Sequence, residues 1–339
     1  MSNATAQEKT AVRRVLSGIQ PSGFLHLGNY FAMMKTMVDF QESENTELFA
    51  FIVNYHALTS VRDGKTLRDN TIGAAMDFLA LGLNPDKSVF WVQSDVPEVM
   101  ELAWYLSCMT PMGLLERCHS YKDKVANGIT PNHGLFAYPT LMAADILLYQ
   151  ADTIPVGKDQ KQHVEVTRDI AIKFNNSYGD TFVLPQEFTP PHVATVPGID
   201  GQKMSKSYDN YIEIFGKENE IRKKVMSIVT DCSTVEDSKD PEKCNLYSIY
   251  KLFATPDQAS EMADRYRAGG LGYGEVKKQL FAMMWEYFAP FRARREELAK
   301  DRAQVEQILA MGAEKASRVA MHTMRRVRRK VGTAYRKDR

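Results

Sequence analysis

The sequence predicts an α/β protein, a doubly wound parallel sheet carrying a smaller all-helical domain. Three observations predict it. Strand-like and helix-like patterns alternate from Val12 to about residue 200, the arrangement that builds a parallel sheet through crossover helices. The run Leu48 to Val53 is apolar throughout, as a strand covered on both faces is. Beyond Phe215 apolar residues recur only at helical spacing.

The elements follow in order. Val12 to Leu16, with Ile19, is strand-like, and Tyr30 to Phe40 is helix-like. Leu48-Phe-Ala-Phe-Ile-Val53 is a buried parallel strand. Leu67 to Leu81 sets Ile72, Met76 and Leu79 at helical spacing, and Ser88-Val-Phe-Trp-Val-Gln-Ser94 is the next strand. Pro97 opens a helix, where its missing N–H costs little. Thr153-Ile-Pro-Val-Gly157 reads as a short strand and Asp159 to Glu165 as the helix after it. Helical stripes then run through Ile221, Val225, Ile228 and Val229, through Leu246, Ile249, Tyr250 and Phe253, and through Val276, Leu280, Met284 and Phe288. In such a sheet, ligands bind outside the carboxyl ends of the strands, where strand order reverses.

Composition bounds the function. The 339 residues are 44% hydrophobic and 25% charged, ordinary for a globular protein with a large core. A net charge of +1 excludes a uniformly basic nucleic-acid binder. The tail is locally basic from Met324 on, with Arg325, Arg326, Arg328, Arg329, Lys330, Arg336, Lys337 and Arg339. Such a run attracts phosphates or is simply a solvated helix end; taken alone, the second reading is the stronger. Cys108, Cys118, Cys232 and Cys244 form no C-x-x-C pair, and no histidine lies at zinc-finger spacing. Reduced thiols and a cytoplasmic location are expected. No apolar run has the length of a membrane span, and Met1 to Arg14 lacks the apolar core of a signal peptide.

Two segments carry chemistry. Gly18-Ile-Gln-Pro-Ser-Gly-Phe-Leu-His-Leu-Gly-Asn29 lies between a strand and a helix. A helix start offers free N–H groups and the positive end of the dipole to a phosphate. Gly18 and Gly23 let backbone approach a ligand, Pro21 stiffens the turn, and His26 can donate to a phosphate. Glycines alone would mean only an ordinary turn; Gln20, Pro21, His26 and Asn29 together favour function. Lys203-Met-Ser-Lys-Ser207 sets two lysines in a polar loop, where they can neutralise charge developing on a polyphosphate. A lone K-x-x-K is solvated charge; its order after the first segment gives it weight.

Asp145 is the most telling single residue. Tyr138, Met142, Asp145 and Tyr149 share one helix face that is otherwise apolar. A carboxylate there needs a donor. Either a core partner supplies it, or the carboxylate awaits a ligand N–H. Asp159 is a helix cap with Gln162 three residues on, or, with Gly157, a ribose-binding pair at a strand end. Gln160 can reach a ligand amine. His56, at the end of a strand, reads first as a core histidine.

These segments resemble the class I aminoacyl-tRNA synthetases. His26-Leu-Gly-Asn29 is similar to their HIGH-type motif, and Lys203 to Ser207 matches KMSKS in full. The closer resemblance is to the tryptophanyl-tRNA synthetases. It rests on Gly18-Ile-Gln-Pro-Ser-Gly23, Tyr138-Pro-Thr-Leu-Met-Ala-Ala-Asp-Ile-Leu-Leu-Tyr149, Pro155-Val-Gly-Lys-Asp-Gln-Lys-Gln-His163 and Gly312-Ala-Glu-Lys-Ala316, and so spans almost the whole chain. It implies a Rossmann-type catalytic domain over residues 1–200. Residues 201–305 would hold the KMSKS loop and a helical anticodon-binding domain. Residues 306–339 would be a helix packing back on the catalytic domain. A homodimer is implied as well.

By resemblance, Gln20, Pro21, Ser22, Gly28, Asn29, Gly157, Lys158, Asp159 and Val193 line the ATP site with Lys203, Met204, Ser205, Lys206 and Ser207. Asp145 accepts the indole N–H of tryptophan, and Tyr138, Met142, Gln160, Val156, His56 and Leu16 complete that pocket. Leu16 sits where the family often has an aromatic residue, and His56 follows Asn54-Tyr55 in place of the usual Asp-Gln. His26, Asn29, Lys203 and Lys206 are the catalytic candidates. ATP and Mg2+ are implied. The four closely spaced cysteines that hold an iron–sulfur cluster in some relatives are absent, so no cluster and no zinc are expected.

The activity expected is ATP-dependent charging of tRNA(Trp) with L-tryptophan. A carboxylate is already nucleophilic at neutral pH, so catalysis is mostly positioning and charge stabilisation. Three alternatives stay open: a tyrosyl-tRNA synthetase, a nucleotidyltransferase of the HxGH superfamily, and a non-catalytic RNA-binding paralogue.

Overall fold

The computed structural model describes residues 12–21, 23–118, 132–157, 160–189 and 196–336. Five parallel strands form one sheet in the order β3-β2-β1-β4-β5. They are β1 (Arg13–Ile19), β2 (Thr46–Ile52), β3 (Ser88–Val92), β4 (Thr153–Pro155) and β5 (Gln186–Phe188). β1 is the centre of the topology: β2 lies on one side and β4 on the other. Strand order therefore reverses at β1, and its carboxyl end is the switch point.

The pleat divides the core in two. Val15, Leu48, Ala50, Ile52, Phe90 and Val92 face one apolar cluster, and Leu16, Phe49, Phe51 and Trp91 face the other. This is the period-2 alternation of strands buried on both sides. The first cluster is covered by α1 (residues 27–41) and α3 (Gly64–Ala80), and the second by α4 (Glu98–Ser107), α6 (His133–Leu148) and α7 (Lys161–Tyr178). Short helices α2 (Asn54–Ala57) and α5 (Met112–Glu116) lie between these elements.

From Glu218 on, every regular element among the described residues is helical: α8 (Glu218–Met226), α9 (Asn245–Tyr250), α10 (Pro256–Ala268), α11 (Tyr273–Tyr287), α12 (Ala289–Lys300) and α13 (Arg302–Val331). Their apolar faces join the first cluster. Tyr30 of α1 meets Tyr287 and Phe288 edge-on, and its hydroxyl lies 2.7 Å from that of Tyr287. α13 crosses the exposed edge of the sheet. Val305 and Leu309 pack in the first cluster, while Ala313, Ala316, Ala320, Met324 and Val327 pack in the second. An edge strand left bare is a template for unwanted pairing, and this helix covers it.

β5 is an element the sequence reading does not contain. It has three residues, Gln186 and Glu187 are exposed, and Phe188 is only half-buried, so it shows no apolar run. α1 holds a second departure: residues Tyr30–Met34 form a π-helical turn, a distortion frequent near functional sites.

Candidate active site

The first segment leaves β1 and enters α1. His26 is the residue before the helix; its Nδ1 accepts from the Asn29 N–H at 3.4 Å, and its own N–H donates to Asn29 Oδ1 at 3.1 Å. This reciprocal cap fixes both side chains at the helix start. His26 is buried, and burial, then the charge of Lys206, lowers its pKa to about 4. The ring is thus neutral near pH 7. With Nδ1 accepting, the proton sits on Nε2, which is a donor for an anionic ligand.

The sign of the pH effect follows. Between the ordinary pKa of 6.5 and about 4, the unfolded chain takes up a proton on His26 and the folded protein does not. This contribution to stability is complete above pH 6.5 and lost as pH falls through that window. His26→Asn keeps a capping side chain without the titration. The expected result is a smaller fall in melting temperature between about pH 7 and about pH 4.5 than in the parent. Equal falls would contradict the assignment.

Gly23 takes φ of +99°, a left-handed conformation that a side chain would strain. Gly18 has a packing reason as well. A Cβ there would meet Phe51 at 2.8 Å and Val53 at 2.9 Å, so Gly18 makes room for β2 side chains. Pro21 is buried, and Gln20 Nε2 donates to the His56 carbonyl at 3.2 Å. Ser22 lies outside the described residues.

The lysine loop meets this helix start directly. The Gly28 N–H points at Met204 Sδ at 3.4 Å, and Met204 is buried. Leu27 N–H donates to Ile212 O at 3.0 Å and Ile214 N–H to Leu25 O at 3.2 Å, which binds the stretch after the lysine loop to the first segment. Asn210 braces the loop from within: its Oδ1 accepts from Ser205 N–H at 2.7 Å, and its Nδ2 donates to Asp200 Oδ1 at 2.8 Å and to Lys203 O at 3.1 Å. Ser205 caps the short turn Lys206–Tyr208 by accepting from Ser207 N–H at 3.2 Å. Lys206 Nζ lies 5.1 Å from the centre of the Phe24 ring. Burial lowers its pKa, while Asp77 and Glu213 act to raise it.

On the opposite face of the sheet, α6 carries Asp145, which is 3% exposed. Gln93 Nε2 donates to its Oδ1 at 2.8 Å and Oδ2 at 2.9 Å, and His56 Nε2 lies 2.8 Å from Oδ2. A carboxylate only accepts, so His56 carries its proton on Nε2. Asp145 therefore has core partners, yet three bonds leave capacity for about one more on a group with roughly four lone-pair sites. Tyr138 Oη is 2.7 Å from His163 Nε2, and the ring stands edge-on to His56. Leu16, Met142 and Val156 belong to the same apolar cluster. Gly157 accepts from Gln160 N–H at 3.0 Å at the end of β4. Lys158, Asp159 and Val193 lie outside the described residues. The α7 N-cap is Gln160, which makes no side-chain cap.

Three further residues shape the site. Gln93 follows β3 at its carboxyl end, and the strand-end rule would have found it. Asp77 of α3 is buried, receives Arg295 Nε at 2.5 Å and faces the Leu25 N–H. Asn210 carries no signal beyond standing just after the lysine segment.

Fold and site together define a Rossmann-like α/β protein with a helix start at the switch point and a lysine loop set against it. Residues 8–289 match the class I tRNA synthetases of the W and Y type. The tryptophan–tRNA ligase of Rhodopirellula baltica is 54% identical, over 94% of this chain and 99% of its own. The tryptophanyl-tRNA synthetase of Campylobacter jejuni, solved with ADP and tryptophan, is 53% identical, covers 94% of this chain and 99% of its own, and superposes with a TM-score of 0.89. A tyrosyl-tRNA synthetase from Archaeoglobus fulgidus shares the fold at 20% identity with a TM-score of 0.66. The chain belongs to the class I W and Y tRNA synthetases.

Proposed function

We propose that the protein activates L-tryptophan with ATP and transfers it to tRNA(Trp). The observation that carries this reading is the direct contact of the two motifs, Gly28 N–H on Met204 Sδ, at the sheet's switch point. A helix start with the charge of Lys206 beside His26 supports triphosphate binding. The ligase relatives, alike over nearly their whole length, supply the amino acid.

In the first step a tryptophan carboxylate oxygen attacks the α-phosphorus, and the bond to pyrophosphate breaks. His26 Nε2–H and Asn29 steady the phosphates; Lys203 and Lys206 take up charge on the departing pyrophosphate. Gln20, Pro21, Ser22, Gly28, Gly157, Lys158, Asp159, Val193 and the rest of the lysine loop are the proposed ATP contacts. Among the described residues no cluster of three His, Cys, Asp or Glu can cage a metal ion. Mg2+ bound with ATP would supply charge neutralisation on the departing pyrophosphate beside Lys203 and Lys206. In the second step a hydroxyl of the tRNA terminal ribose attacks the carbonyl carbon of the mixed anhydride; the ester bond forms, the acyl–phosphate bond breaks, and AMP leaves as the hydroxyl proton passes to its phosphate or to water.

Asp145 is proposed to receive the indole N–H, with Tyr138, Met142, Gln160, Val156, His56 and Leu16 around the ring. Residues 201–305 are proposed to hold the anticodon-reading part. A cytoplasmic homodimer completes the reading; for the dimer, support comes from exposed Trp104 and Met100, one turn apart on α4, and sedimentation gives the mass of one chain or two. No helix among the described residues is long and apolar enough to cross a membrane. Amino-acid-dependent exchange of pyrophosphate into ATP tests the activity: tryptophan should support it and tyrosine should not.

A further inference from the structure

The basic residues at the end of α13 fall into two sets. One set fastens the helix. Arg328 Nε donates to Glu101 Oε1 at 2.8 Å and its Nη2 to Oε2 at 2.5 Å; Lys330 donates to the Asp180 carbonyl at 2.7 Å, and Arg326 to that of Thr181. Lys315 reaches the Pro85 carbonyl at 3.3 Å. The other set faces solvent. Arg318, His322, Arg325 and Arg329 are exposed and spaced by four, three and four residues, so they form one stripe. Among the described residues none of the three arginines in this stripe has an ion-pair partner.

An ordinary solvated helix mixes both signs. α12 does so with Arg294 and Glu297, and the start of α13 does so with Arg302 and Glu306. Residues 315–336 instead carry eight Lys and Arg and no Asp or Glu. The helix dipole favours cations only within the last turn. It accounts for Arg329 and not for Arg318, which lies three turns earlier. A face of one sign repels itself and gains from a polyanion. A membrane surface does not fit, because the apolar face that would enter it is buried on the sheet.

We propose that the stripe Arg318, His322, Arg325 and Arg329 binds the sugar–phosphate backbone of RNA. That the RNA is tRNA rests on the function proposed above. Filter binding of a tRNA(Trp) transcript tests the proposal, using the full chain across roughly 50 to 200 mM salt. The double variant Arg318→Ala/Arg325→Ala changes only exposed side chains. Its dissociation constant should rise roughly tenfold at low salt, and the slope of log K against log salt should flatten by roughly two. Lys65→Ala/Lys87→Ala removes equal charge elsewhere and should leave binding near the parent. Unchanged binding in the first variant, or an equal loss in both, overturns the proposal. Tryptophan-dependent pyrophosphate exchange, run on the same samples, should not move with the stripe. Its absence from the parent protein would count against the function reading alone, since RNA binding is read independently.

Discussion

Replacing Asp145 by alanine is expected to lower kcat/KM for tryptophan activation by roughly a thousandfold, with KM for ATP changed less than about threefold. Donors and acceptors are matched around this carboxylate. Asp145 is 3% exposed and already takes three hydrogen bonds from Gln93 and His56. Those bonds orient the carboxylate and satisfy its burial, and the remaining acceptor capacity is the proposed partner of an indole N–H. A site built on a ligand hydrogen bond discriminates strongly because the unmatched ligand leaves a buried group unpaired. Alanine removes the acceptor and strands the Gln93 amide and the His56 N–H, at a stability cost of about 1–3 kcal/mol. Activation is therefore measured per folded molecule. A variant that loses stability but keeps full activation would show that Asp145 serves only its core partners.

Among the glycines described, Gly312→Ala is expected to be the most destabilising change to alanine. A Cβ at Gly312 would lie 1.7 Å from the Phe90 carbonyl oxygen and 2.5 Å from its carbon. Both atoms belong to the backbone of edge strand β3, which cannot swing aside. α13 must lift from the sheet, loosening Ala313, Ala316, Ala320 and Met324, all buried against it. Overpacking usually costs about 1–3 kcal/mol, and a clash with backbone belongs at or above the top of that range. Denaturant melts should show a loss of about 3 kcal/mol or more. A loss under about 1 kcal/mol would mean that the helix does not rest on the strand here. Gly312 begins a segment singled out by family resemblance, and the contact with Phe90 gives it a physical reason.

Much of this was legible in the sequence because strands buried on both faces leave mainly apolar runs. Leu48 to Val53 and Ser88 to Ser94 announced β2 and β3, and the segments after β1 and β4 marked the switch point. β5 was not legible, since three residues with two exposed leave no pattern. At Gly18 the missing side chain also accommodates Phe51 and Val53, a packing demand that spacing along one strand does not reveal. Asp145 stood out as a carboxylate on an apolar face, but its partners are 89 residues away at His56 and 52 residues away at Gln93. Long-range pairs of that kind come from topology. The brace by Asn210 is equally silent in sequence, because an asparagine in a loop most often serves its own turn.

The central claim is that this site activates tryptophan. Exchange of labelled pyrophosphate into ATP, run with each of the twenty amino acids, tests it most directly. The account predicts exchange with tryptophan, and with tyrosine and phenylalanine a rate lower by roughly 10⁴-fold or more. Exchange supported by tyrosine and not by tryptophan would contradict it.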